Sequence, residues 1–235
     1  MKRFFDIIVS AAGLLVLAPV LPVVLLLVWL QDGRSPIYLG ERASRGGGRF
    51  KMIKVRSMSV GADKTGVEST GAGDSRITPL GHFIRRCKLD ETTQLWNVLK
   101  GDMSLVGPRP NTLREVEKYT AAERRLLSVR PGITDIASIV FSDEGDIIKD
   151  AADPDDAYDK LIRPWKSRLG ILYAENSNLL LDIRLIWLTI LAILDKPKAL
   201  AGVQTILLRL HAEPDVIVVS LREKPLEPAR AAQAA

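Results

Sequence analysis

Residues 2–34 read KRFFDIIVSAAGLLVLAPVLPVVLLLVWLQDGR, and the fold turns on how the apolar part of this stretch is accommodated. From Ile7 to Leu30 no charge interrupts a run of Leu, Val, Ile and Ala, which is membrane-length. Three forms compete for it. A cleaved signal peptide needs a short apolar region and a small-residue cleavage site, and neither is present. A single spanning helix is the usual form for about 20 apolar residues. A re-entrant hairpin enters and leaves through one face. Pro19 and Pro22 fall near the middle, where each removes a backbone donor and clashes with the preceding turn, so a kink is expected. Lys2 and Arg3 precede the run and Arg34, Arg42, Arg45 and Arg49 follow it, a distribution that holds both ends in the cytoplasm. The charges and prolines therefore favour re-entry over spanning. A bent helix leaves carbonyls without donors in lipid, so the remainder of the chain is expected to pack against it. Asp6, three residues after Arg3, is spaced to pair with it.

With 235 residues, 47% of them hydrophobic, the chain can bury one core. Cys87 is the single cysteine and His82 and His211 are the only histidines, which excludes an internal disulfide and a zinc cluster. A metal here would be hard and oxygen-ligated, such as Mg²⁺. A net charge of +5 and a pI near 9.4 suit an anionic partner: nucleic acid, acidic lipid or a phosphorylated small molecule. Nucleic acid is set aside, because neither a helix-turn-helix nor an aromatic stacking platform is visible.

Outward from the apolar stretch, Ile37 to Met58 reads as a basic β-hairpin turning at Gly46–Gly48. Gly61 to Ser75 has no apolar period and reads as a mobile loop, of the kind that serves as a lid. Helices are expected from Gly81 to Lys88, from Asp90 to Lys100, and from Thr112 to Ser128. In the second, Asp90 lies near the N-cap, Leu95, Trp96, Val98 and Leu99 face inward, and Gly101 is the stop. Asp143 to Asp159 is acidic and loop-like. Pro164 to Asn176 and Leu179 to Leu194 read as amphipathic or interfacial helices, with Trp165, Tyr173 and Trp187 as candidates for the headgroup zone. Beyond Asp195 come one more helical stretch, an apolar run at Val216–Leu221 and an Ala-rich tail expected to be disordered. The fold class is α+β and predominantly helical. A re-entrant membrane helix occupies 1–33, a catalytic domain with the hairpin and interfacial helices 34–200, and a C-terminal helix and tail 201–235.

The chemistry concentrates in residues 85–110, RRCKLDETTQLWNVLKGDMSLVGPRP. Asp90 and Glu91 sit between Arg85, Arg86 and Lys88 on one side and Arg109 on the other. An Asp-Glu pair is ordinarily a solvated helix start with Asp as cap. Here the surrounding cations and the free N–H groups of a helix start form a setting for phosphate. A carboxylate can attack phosphorus to form an acyl phosphate if the repulsion from an already anionic diphosphate is screened. A Mg²⁺ ion on a second carboxylate, with arginines on the phosphoryl oxygens, would screen it. Arginine binds phosphate in two places and stays ionised, and the prolines flanking Arg109 hold its backbone still.

Several motifs occur together in order: Lys2-Arg3-x-x-Asp6, Lys54-x-Arg56-Ser57-Met58, Asp74-x-Arg76-Ile77-Thr78, Asp90-Glu91, Gln94-Leu95-x-Asn97 through Ser104, Val106-Gly107-Pro108-Arg109-Pro110 and Pro131-Gly132-Ile133-Thr134. Over roughly residues 1 to 200 the chain resembles the bacterial sugar transferases known as small monotopic phosphoglycosyl transferases. The resemblance implies an enzyme of the bacterial cytoplasmic membrane, with its catalytic domain on the cytoplasmic face. It would move a phospho-sugar from a nucleotide diphosphate sugar, usually a UDP-sugar, onto polyprenyl phosphate, releasing UMP and initiating exopolysaccharide or glycoconjugate assembly. It implies Asp90 as nucleophile, Glu91 as Mg²⁺ ligand, Arg85 and Arg109 as phosphate-binding residues, and a helix broken at Pro19. Arg56 and Lys54 are candidates for contact with the nucleotide or lipid phosphate, the alternative being solvated bases on an exposed strand; Lys88 and Arg76 are further substrate-binding candidates, and the structural alternative for Arg76 is a pair with Asp74. Membrane lipid and a homodimer complete the expected partners.

The chain departs from the family pattern at four places. Thr92 and Thr93 replace a usual Leu-Pro after the acidic pair, implying an altered entry geometry. Asp135 stands where Gly is common and Gly170 where an acid is common, which bears on the sugar and nucleotide pocket. Ala18 precedes Pro19 where a serine hydroxyl is sometimes available for the freed carbonyl. Cys87 is expected to be packed, and Asn176 and Asp182 to be helix-end or buried polar groups. The competing function is a membrane-anchored adaptor that holds anionic lipid on its basic surface without catalysis.

Overall fold

A computed structural model describes residues 1–67, 69–71 and 73–226; the Ala-rich tail lies outside the described residues. The chain opens with α1 (Lys2–Leu17) and α2 (Val20–Leu30), bent by 62° at Ala18–Pro19. Pro19 has no N–H to continue the first helix, and the Ala18 N–H bonds instead to the Leu15 carbonyl at 3.3 Å. The backbone thus supplies part of what the missing serine hydroxyl would. Pro22 falls in the first turn of α2, where a missing donor costs little. No single helix among the described residues is long and apolar enough to cross a membrane, but this bent pair meets the length and composition together.

Three charged residues fasten α1 to the rest of the chain. Lys2 donates to the Val106 carbonyl, to the Tyr173 hydroxyl and to Asp182. Arg3 donates to the Val98 and Leu99 carbonyls at the end of a later helix, where a cation opposes the helix dipole. Buried Asp6 accepts from the Ser104 hydroxyl and the Leu105 N–H. The expected Arg3–Asp6 pair does not form, because each finds orphan backbone groups of the core.

Next come β1 (Ile37–Ala43) and β2 (Arg49–Val55), an antiparallel hairpin running from Ile37 opposite Val55 to Ala43 opposite Arg49. Gly46 and Gly47 take positive φ in its turn, as the glycine triplet predicts. Then follow α3 (Pro79–Arg86), α4 (Gln94–Lys100), stopped by left-handed Gly101, and β3 (Ser104–Val106). The fully buried Asn97 of α4 acts as a strand edge for β2: its amide donates to the Lys51 carbonyl and its carbonyl accepts the Ile53 N–H. That docking sets α4 against the hairpin.

The expected long helix from Thr112 is two short pieces, α5 (Leu113–Glu117) and a 3₁₀ turn at Glu123–Ser128. Between them the Thr120 N–H donates to the Glu123 carboxylate and the Glu123 N–H to the Thr120 hydroxyl, a reciprocal pair that turns the chain before the second piece. β4 (Gly132–Thr134) pairs in parallel with β3. At the crossing, Gly132 donates its N–H to the Pro108 carbonyl, and Gly107 to that of Thr134. A Cβ on Gly132 would stand 2.1 Å from the Gly107 nitrogen, so two glycines are needed for the backbones to meet.

The remaining elements are α6 (Ile136–Val140), α7 (Glu144–Ile147), α8 (Pro154–Leu161), α9 (Arg163–Asn176), α10 (Leu179–Leu194), α11 (Lys196–Arg209) and α12 (Pro214–Ser220). The acidic segment 143–159 thus carries two short helices rather than loop alone; Asp153 caps α8 by accepting from Asp155 and Asp156. Two of the expected interfacial residues are instead in the core: Trp165 and Tyr173 are 7% and 1% exposed. Helix α9 is enclosed by α6, α8, α12 and the 3₁₀ turn, so its aromatic residues pack rather than face outward. Helix α10 has two apolar faces. Leu181, Leu185 and Leu188 join the main core, while Leu180, Ile183, Trp187, Ile190 and Leu194 are exposed at helical spacing. Trp96, expected inside, is 53% exposed, and Cys87 is exposed at the end of α3. Asp182 is buried, as expected, on Lys2 and Tyr173.

Candidate active site

The acidic pair sits on a 3₁₀ turn, Leu89–Glu91, between α3 and α4. Lys88 enters that turn at φ 56, a left-handed conformation that reverses the chain. The two threonines that follow hold it. Thr92 donates its hydroxyl to the Leu89 carbonyl at 2.7 Å, and Thr93 reaches across to the Ile53 carbonyl of β2 at 3.1 Å. The side chain of Thr93 therefore joins the acidic turn to the strand that carries Lys54. Asp90 belongs to the 3₁₀ turn and Thr93 is the residue preceding α4, so Asp90 is not the helix cap.

Lys54 approaches both acids, with its Nζ 3.1 Å from Glu91 Oε1 and 3.9 Å from Asp90 Oδ2. Arg109, from the Gly107–Pro110 loop after β3, donates to the same Glu91 oxygen. Electrostatics then separate the neighbours. Burial raises the pKa of Asp90, the nearby Glu91 charge adds to this, and Lys54 only partly offsets them. Burial also acts against the Glu91 carboxylate, but Arg109 and Lys54 outweigh it and hold its pKa well below the usual range. Arg85 donates through Nε to the Ser57 hydroxyl at 2.9 Å. Burial lowers its pKa against the opposing pull of Asp90 and Asp74, and a guanidinium stays ionised regardless.

All of these side chains line a cleft of about 1180 Å³, together with Arg56, Arg76 and Lys88. In this cleft Asp90, Glu91, Lys54, Arg85 and Arg109 stand as acids and cations in mutual electrostatic range. The other basic candidates are held differently. Arg56 is buried and forks onto Asp32 with two 2.6 Å contacts, while its Nε donates to the Ser35 carbonyl. It ties the end of α2 to the hairpin. Arg76 grips Asp74 and also donates to the Ala62, Val67 and Ser69 carbonyls and the Thr65 hydroxyl. One guanidinium thereby organises the loop expected to be mobile, and Ser69 of that loop donates its N–H to Asp155 of α8. Lys88 is exposed and has no ion pair among the described residues.

Of the departures from the family pattern, buried Asp135 caps α6, accepting the Ser138 N–H and hydroxyl at 2.7 Å each, and does not line the cleft. Gly170 also lies outside the lining, where it lets α9 approach Leu126 and Pro108. The sequence marks Lys54 as a candidate phosphate contact but does not foresee its bridge between both acids. Its signal was alternation: Phe50, Met52 and Lys54 share one strand face, and the first two are buried. Glu144, Tyr158 and Lys166 also line the cleft and belong to no motif noted in the sequence.

Comparison with known proteins matches a family model described as bacterial sugar transferase to residues 1–196. The galactosyl transferase CpsE of Streptococcus agalactiae serotype III (strain NEM316) is 35% identical over 204 residues, covering 82% of this chain and 42% of that protein. A putative undecaprenyl-phosphate N-acetylgalactosaminyl 1-phosphate transferase of Bacillus subtilis (strain 168) is 43% identical over 118 residues, or 50% of this chain and 66% of that protein. The undecaprenyl-phosphate glucose phosphotransferase of Komagataeibacter xylinus is 37% identical over 201 residues, 80% of this chain and 35% of that protein. The matched region spans less than two thirds of the length of each of these relatives.

Proposed function

The chain belongs to the bacterial sugar transferase family, and on that premise we propose that it transfers a sugar phosphate from a UDP-sugar to a polyprenyl phosphate at the cytoplasmic face of a bacterial membrane. The observation that carries the reading is the division of labour between adjacent acids. Glu91 is held by two cations, whereas Asp90 is buried with the Lys54 ammonium 3.9 Å away and faces the same cleft.

In the first step an Asp90 carboxylate oxygen attacks the phosphorus that bears the sugar. The new bond is an acyl phosphate, the bond broken is the bridging P–O, and its electron pair leaves on UMP. In the second, an oxygen of polyprenyl phosphate attacks the same phosphorus, and Asp90 departs as carboxylate. Arg85 and Arg109 would bind the phosphoryl oxygens and balance charge as it develops there. Lys54 would keep the acids from repelling the diphosphate and help hold Asp90 as the anion.

A hard divalent cation takes one or two carboxylates together with phosphate oxygens and water. The donor set fits Mg²⁺ in that mode: both ion pairs of Glu91 fall on Oε1, leaving Oε2 outside them. Among the described residues no cluster of three or more acids, histidines or cysteines forms a closed cage, so phosphate oxygens would complete the shell. Mg²⁺ on Glu91 would supply Lewis-acid screening of the diphosphate. In this reading α1 and α2 form a re-entrant element. The bend, and the exposed apolar side chains of α1, α2 and α10, support placing that face in lipid.

The test uses the full chain with polyprenyl phosphate and UDP-glucose, UDP-galactose or UDP-N-acetylgalactosamine, donor types that appear in the names of relatives. UMP release and an added mass of phospho-sugar on Asp90 are expected, and Asp90→Asn should abolish both. UDP as product, or full turnover by Asp90→Asn, would overturn the reading.

A further inference from the structure

The cleft contains a second cluster in addition to the acidic turn. Glu144 opens α7, Tyr158 lies in α8 and Lys166 in α9, and all three line the cleft. The Lys166 ammonium pairs with Glu144 Oε2 and stands 5.4 Å from the centre of the Tyr158 ring. We propose that Glu144, Lys166 and Tyr158 form the subsite for the hydroxyls of the transferred sugar, a refinement that rests on the function proposed above.

An acid beside a diphosphate site repels the substrate unless it is neutralised and has a group to bind. Lys166 neutralises Glu144, and the Glu144 side chain remains 38% exposed toward solvent while Lys166 is 15% exposed. The pair therefore offers charge-assisted acceptors and a donor side by side. A carboxylate can accept from two neighbouring hydroxyls at once, and the ring of Tyr158 supplies an apolar surface for the C–H face of a pyranose. Burial opposes ionisation of Glu144, but Lys166 and then Arg109 overcome it, so it is a carboxylate at neutral pH. The influence of Arg109 on both Glu91 and Glu144 puts the cluster within electrostatic range of the phosphate-binding end, which is where a sugar attached to the diphosphate must lie.

The cluster is also braced from behind. Asp143, next to Glu144, pairs with Lys196 at 2.9 Å and Arg222 at 3.6 Å, and the Arg222 guanidinium lies 5.4 Å from the Phe141 ring. Support of this kind fixes the position of a binding side chain.

Isothermal titration of the full chain in detergent, with UDP and with UDP-glucose, UDP-galactose and UDP-N-acetylgalactosamine, tests the assignment. The wild type should bind one of the three more tightly than UDP. Glu144→Ala should weaken that UDP-sugar about 10- to 100-fold, the loss expected for charge-assisted hydrogen bonds, and leave UDP unchanged. Glu144→Gln, which keeps an acceptor, should recover part of the loss. Unchanged UDP binding also reports that the variant is folded. Equal weakening of UDP and UDP-sugar would assign the cluster to the ribose, to the phosphates or to folding, and would overturn the proposal, as would no change in either. If the wild type binds neither UDP nor any UDP-sugar, the proposed function fails and the subsite with it.

Discussion

Asp90 and Glu91 share a peptide bond, and yet their surroundings push their pKa values in opposite directions. The reason is that Arg109 and Lys54 converge on one oxygen of Glu91, while Asp90 is buried with Lys54 at 3.9 Å. With Asp90 as the nucleophile proposed above, its raised pKa places the acid limb of kcat/KM above the ordinary aspartate value of 3.8. Activity is lost as pH falls through that limb. Lys54→Met removes a cation that lowers the Asp90 pKa, so the limb should move to still higher pH; a pH–rate profile with an unmoved limb would exclude this coupling. Arg109→Lys keeps a charge but loses the fork, and kcat/KM should drop about 10²–10³-fold, the range for removing one preorganised donor. A steady-state assay within a factor of three of wild type would contradict a phosphate-binding role. The acids and Arg109 were legible because charge density so close to a Gly-Pro-Arg-Pro turn is conspicuous in one dimension. Glu144 and Lys166 were not, since 22 positions separate them and neither lies in a motif. Trp96 and Cys87 were misplaced because hydrophobic character does not say whether protein covers a side chain.

At the scale of elements, the hairpin, α3, α4 and the kink at Pro19 follow from local rules: turn glycines, helix stops and a missing N–H. Helix α9 shows where such rules end. Its pattern of aromatic and charged residues suits an interface as well as a core, and only the enclosing elements decide that Trp165 and Tyr173 are inside. On the re-entrant reading proposed above, prolines and charges make separate contributions to the path of α1 and α2, and labelling can divide them. In sealed inverted vesicles a cysteine at Gln31 should react with an impermeant reagent from the same face as exposed Cys87. In a Pro19→Ala/Pro22→Ala variant the helix is continuous, and position 31 should become reachable from the other face. Same-face labelling in that variant would mean that the flanking cations alone set the path.

Over the whole molecule, the family match ends at residue 196, but the hydrophobic core does not. Ala199, Leu200, Val203, Ile206 and Leu207 of α11 and Val216 of α12 join the cluster that α6, α9 and α10 build. Leu207 is fully buried, so Leu207→Ala should destabilise the chain by about 2–5 kcal/mol. Urea unfolding checks this, and a loss below about 1 kcal/mol would show that α11 is only laid on the surface. The predominantly helical α+β class was legible from periodicity. The way distant segments close on one another was not, because Lys2, Val106, Tyr173 and Asp182 meet only after the chain has folded.

The crossing of Gly107 and Gly132 has a consequence for Arg109, two residues downstream. The guanidinium reaches Glu91 from a loop whose base is a contact with no space for a methyl group. Replacing Gly132 with Ala removes no functional group, yet it wedges the two backbones apart and carries the arginine off its target. Such a variant should look chemically inert while its acidic turn keeps every side chain, and a position with no side chain of its own thus sets the tolerance of the cleft.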